Sequence, residues 1–102
     1  MQNKVDVFNR ANRENGPLDV SDRLMDIQSE LGELCKEWLK ATDYGTKKFK
    51  VTDDFALELG DVLYSIYSLA NETGIDANAQ VQKVLDKYQK RIDEKQSMGS
   101  GK

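Results

Sequence analysis

Apolar residues return along this chain at steps of three and four, the spacing that gathers them on one side of an α-helix. The longest stripes are Leu24, Ile27, Leu31, Leu34 and Trp38, and then Phe55, Leu59, Val62, Ile66 and Leu69. Val5 and Phe8, with Ala11 and Asn12, give a shorter one; Val81, Val84 or Leu85, Tyr88 and Ile92 give a fourth. No segment alternates convincingly at period two, so the pattern predicts an all-α chain of four helices. Polar residues set the boundaries. A helix over roughly residues 2–14 should end before Gly16 and Pro17, the first break. Asp19 or Ser21 can cap the second helix, which should end near Thr42, and the segment 43–50, DYGTKKFK, reads as a surface loop. Thr52 can cap the third, with Asp53 and Asp54 at the positive end of its dipole. Asn71 to Gly74 stops it, Gly74 suiting the left-handed position after a helix end, and Asp76 caps the fourth. Residues 1–95 are expected to form one helical domain and 96–102 a flexible C-terminal tail.

The third helix is apolar well beyond one seam, because Leu57, Leu63, Tyr64 and Tyr67 widen its stripe. Such a helix must be covered on most sides, and three short neighbours offer little cover. The four-helix bundle is therefore expected to be completed by oligomerisation. Composition narrows the chemistry. With 102 residues there is length for one small domain, and 15 basic against 18 acidic side chains argue against nucleic acid as partner. No apolar run approaches the ~18 residues of a membrane span. The N-terminus lacks a signal-peptide pattern, and the single cysteine, Cys35, suits a reducing compartment, so a cytoplasmic protein is expected. Cys35 itself reads as packing beside the stripe. The chain has no histidine, which excludes histidine triads and carboxylate–histidine di-iron sites.

What remains for chemistry is carboxylate. The second helix reads Glu30-Leu-Gly-Glu33-Leu-Cys-Lys-Glu37 and the third Glu58-Leu-Gly-Asp61. Positions three apart lie about 60° apart around a helix, so each pair faces one way. Both pairs border an apolar stripe; packing the stripes together gathers four carboxylates at the rim of the interface. Four such charges repel and lose water unless a cation compensates them. An oxygen-only set points to a hard ion, Mg²⁺ or Mn²⁺ before Zn²⁺. Gly32 and Gly60 sit inside the pairs, each costing about 1 kcal/mol against Ala, which suggests close approach of a helix or ligand.

The stretch SELGELCKE, followed after a loop by ELGDVLYSIYSLANETGID, resembles the MazG-type all-α nucleoside triphosphate pyrophosphohydrolases. Their signature is ExxE, a spacer and ExxD; here 24 residues separate Glu33 from Glu58, and the likeness runs from about residue 20 to 92. The resemblance implies a dimer or dimer of dimers that binds Mg²⁺ and hydrolyses a (d)NTP to the monophosphate and pyrophosphate. It implies Glu30, Glu33, Glu58 and Asp61 as metal ligands, and Lys87 and Arg91 as phosphate contacts. One position departs from the pattern: many relatives carry a Glu before the first motif Glu, sometimes credited with activating water, where this chain has Ser29. Glu37 is the substitute candidate for that catalytic part. The departure keeps a second reading open, a metal- or nucleotide-binding or regulatory bundle without turnover. Asn9, Asn12 and Trp38 could meet a base but suit core or surface equally. Lys47, Lys48 and Lys50 read as a solvated loop. The terminal GSGK has no strand before it and no Ser or Thr after it, so it is not a phosphate loop.

Overall fold

The computed structural model describes residues 1–13 and 19–100. It contains four helices, α1 (Gln2–Ala11), α2 (Val20–Ala41), α3 (Asp53–Thr73) and α4 (Ala77–Ser100), and no strand among the described residues. None is long and apolar enough to cross a membrane. The polar punctuation acts as the sequence requires. Asp19 and Asp22 form a reciprocal capping box at the start of α2. Ser21, the other candidate, donates to Asp19 instead (3.1 Å). Thr52 Oγ1 accepts from the Phe55 amide at 3.0 Å, and Asp76 Oδ1 from the Ala79 amide at 3.1 Å. Gly74, at φ 70°, ends α3 in the left-handed conformation.

Two boundaries differ from expectation. Helix α1 stops at Ala11, before residue 14, because Asn12 folds back: its side chain donates to the Phe8 carbonyl (2.8 Å). The Gly16–Pro17 break lies outside the described residues. At the other end α4 runs through Ser100, so residues 96–100 are helical where a tail is expected; the preceding heptads are good helix formers and Gly99 alone does not stop them. Residues 101 and 102 are outside the described set.

Helix α2 packs along α3, and α1 packs on α3, whereas α4 has no comparable packing against the other three. The covered surface is unexpectedly polar. Among the described residues Val5, Val62 and Ala70 are the buried apolar ones, beside buried Asn9, Arg23, Thr42, Ser65 and Ser68. Leu24, Leu31 and Trp38 of the α2 stripe, and Leu59 and Ile66 of α3, are 40–50% exposed, so the predicted core stripes are only half covered within one chain. Helix α1 is held by polar contacts. Asn9 donates to Ser68 (3.0 Å) and accepts from the Tyr64 hydroxyl; Gln2 donates to the Ile75 carbonyl (2.6 Å) and accepts from the Ala77 amide (2.8 Å). The turn after α2 is built on Thr42, whose hydroxyl donates to the Trp38 carbonyl and accepts from the Gly45 amide, both at 2.9 Å.

Candidate metal centre

The pairing of α2 with α3 brings the two acidic motifs face to face. One oxygen each from Glu30, Glu58 and Asp61 lies within 4.8 Å of the other two. Glu30 and Glu58 are half-buried and Asp61 exposed, so three carboxylates sit together at the rim of the helix pair, where the motif spacing predicts four. Glu58 Oε2 is buried and has no hydrogen-bond partner among the described residues. Loss of water raises the Glu58 carboxyl above its ordinary pKa, and the charges of Asp61 and Glu30 add to this. A buried anion beside two others, one oxygen idle, is an arrangement that a cation relieves. Glu30, Glu58 and Asp61 would hold a hard divalent ion there through oxygen, once their side chains drew closer together.

The remaining candidates are placed differently. Glu33 is exposed and outside the three-carboxylate cluster, although its charge reaches Glu58. Glu37 accepts a hydrogen bond from Lys40 at 3.1 Å with only 13% of its side chain exposed. That bond and the Glu37 charge raise the Lys40 pKa, with Asp54 and Glu33 adding and burial opposing. Sequence reading missed Lys40; its signal was the i, i+3 spacing from Glu37. Lys87 and Arg91 lie on exposed α4, their cationic groups 5.6 and 5.8 Å from the Tyr88 ring centre. Cation–π attraction thus keeps both on one side of that helix.

Other expectations resolve by burial. Cys35 is exposed, not packed, because the stripe it flanks is itself open. Asn9 is a buried strut between α1 and α3; Asn12 caps its own helix, and Trp38 is 42% exposed. Lys47, Lys48 and Lys50 are exposed. At Gly32 and Gly60 an added Cβ would meet nothing within 4 Å, so the close approach they suggest does not come from this chain's own helices.

The described residues are thus helical, with a cluster of three carboxylates where the ExxE segment of α2 meets the ExxD segment of α3. The model of the MazG nucleotide pyrophosphohydrolase domain matches residues 20–95, and the chain belongs to that family. The match covers α2, α3 and α4 as far as residue 95, and leaves α1 outside. No curated protein and no solved structure matches the chain.

Proposed function

We propose that this protein is a divalent-metal-dependent nucleotide pyrophosphohydrolase that converts a (d)NTP and water to the (d)NMP and pyrophosphate. The observation that carries the reading is the cluster of Glu30, Glu58 and Asp61 with its unpartnered buried oxygen. Glu33 would complete the ligand set by turning inward from the rim. Mg²⁺, or Mn²⁺ in its place, would supply charge neutralisation and Lewis acidity to the triphosphate. The chain's own residues supply the rest. Glu30 and Glu58 fix the ligand geometry from opposite helices. Lys87 and Arg91 offer two cations at one-turn spacing, suited to adjacent phosphate groups. Helix α4 would present them to a carboxylate cluster across an interface between copies, as a homodimer or homotetramer. That assembly is supported by the open apolar faces of α2, α3 and α4.

Water activation is the demanding step. Ser29 is no base at neutral pH, and Lys40 already occupies Oε1 of Glu37, leaving Oε2 to take a proton. This pairing favours one alternative, a binding or regulatory bundle without turnover. Pyrophosphate release from a panel of NTPs and dNTPs with Mg²⁺ or Mn²⁺ separates the two. The enzyme reading expects turnover that Asp61→Asn abolishes and Glu37→Gln lowers in kcat more than in metal affinity. A protein that is stabilised by metal but turns over no member of the panel is a binding module instead.

A further inference from the structure

We propose that Arg13, Arg23 and Glu72 form an oxyanion site, distinct from the carboxylate cluster, that takes a phosphate group. These residues join the end of α1, the first turn of α2 and the last turn of α3. Glu72 Oε1 accepts from Arg13 Nη2 at 3.1 Å and lies 3.8 Å from Arg23 Nη2. One carboxylate between two guanidiniums leaves a positive charge over. Asp26 does little to discharge it, since its oxygen is 4.0 Å from Arg23 Nη1 and its side chain is 52% exposed. Asp19 and Asp22, also near, are engaged in capping α2.

Arg23 is the anomaly. Its side chain is only 8% exposed, yet both its acidic neighbours lie beyond hydrogen-bond reach. The Nε atoms of Arg23 and Arg13 are both buried without an acceptor among the described residues. A buried guanidinium with idle donors is costly, and its planar fork matches two oxygens of a phosphate. Arg13, with 27% of its side chain exposed, leaves the cluster reachable from solvent. The site stands seven residues from Glu30 along α2, about 10 Å, so it is separable from the metal centre by mutation.

Thermal melts of the full chain in EDTA test this, with inorganic phosphate compared against sodium chloride of equal ionic strength. Wild type should rise by about 5 °C or more near saturation, and Arg23→Met should lose the response. Because Arg23→Met alters a buried residue and could disturb folding, Glu72→Gln is the second variant. It removes the competing anion, so phosphate should bind about tenfold more tightly; a cluster that merely ties helices together would lose stability and gain no response. Repeating the titration in Glu58→Gln with phosphate and with a nucleoside monophosphate identifies the source. Equal responses mark a phosphate site indifferent to what bears it, and a stronger response to one assigns the site to it. The proposal is overturned if neither wild type nor Glu72→Gln responds beyond the salt control, or if Arg23→Met keeps the response.

Discussion

Glu58 stands between Glu30 and Asp61 with one carboxylate oxygen buried and idle, and its carboxyl titrates above the ordinary value. Near that raised value the folded chain holds a proton that the unfolded chain has released. The associated stability is full below the ordinary carboxylate range and is lost as pH rises through the raised value. In EDTA, Glu58→Gln should therefore melt higher than wild type at neutral pH, and the gap should close on acidification. Millimolar Mn²⁺ should reverse the order, raising the wild-type Tm and leaving the variant unmoved. No shift in wild type would falsify the metal reading. At this scale the sequence was informative where geometry is rigid. A spacing of three residues puts Glu58 and Asp61 on one side of α3 whatever their rotamers, and Glu30 follows from the facing stripe. It was silent where a long side chain chooses between neighbours: nothing in the spacing says that Glu37 takes Lys40, or that Glu33 stays at the rim.

Helix ends were the most legible elements, because caps are local chemistry. Asp19, Thr52, Gly74 and Asp76 each perform the part that their residue type allows. Harder to read was the turn after α2, where Asp43 (φ 48°) and Tyr44 (φ 58°) join Gly45 (φ 84°) in the left-handed region. Asp43 is a type that tolerates that conformation, but Tyr44 is not; the buried Thr42 hydroxyl and a 2.7 Å bond from the Tyr44 amide to the Leu39 carbonyl enforce it. Tyr44→Asn, which tolerates this φ better, should gain up to about 1 kcal/mol in denaturant unfolding. The glycines inside the motifs make a sharper case. With open space at the Cβ position, Gly60→Ala should stabilise the isolated chain by about 1 kcal/mol through helix propensity alone. If a substrate or second copy approaches there, the same variant should raise KM or weaken association. A variant that is more stable and unchanged in both would show that nothing approaches.

For the whole molecule, the radius of gyration is 18.5 Å, against about 13 Å for a compact chain of this length, and the extents are 62 × 42 × 21 Å. The excess agrees with the weak packing of α4, where Val81, Leu85, Tyr88 and Ile92 are about half exposed. Periodicity identified that stripe correctly but could not say whose surface it meets, since an amphipathic pattern is the same for an internal and an external partner. Sedimentation at micromolar concentration should find a species heavier than the 11.6 kDa chain, and charges placed at Leu85 and Tyr88 should reduce it to that mass. The attachment of α1 has a separate consequence, for the order of folding. Its hydrogen bonds to α3 and α4 span 55 to 75 residues of chain, whereas α2 and α3 are joined through residues 42–52 alone. Closing the longer loop is the slower and less favourable event. The α2–α3 hairpin should therefore form first, with its carboxylates already opposed, and α1 should dock late and detach first. Native-state hydrogen exchange should show α1 amides opening in a low-energy step that leaves α2 and α3 protected. A single common exchange energy for all three helices would contradict that order.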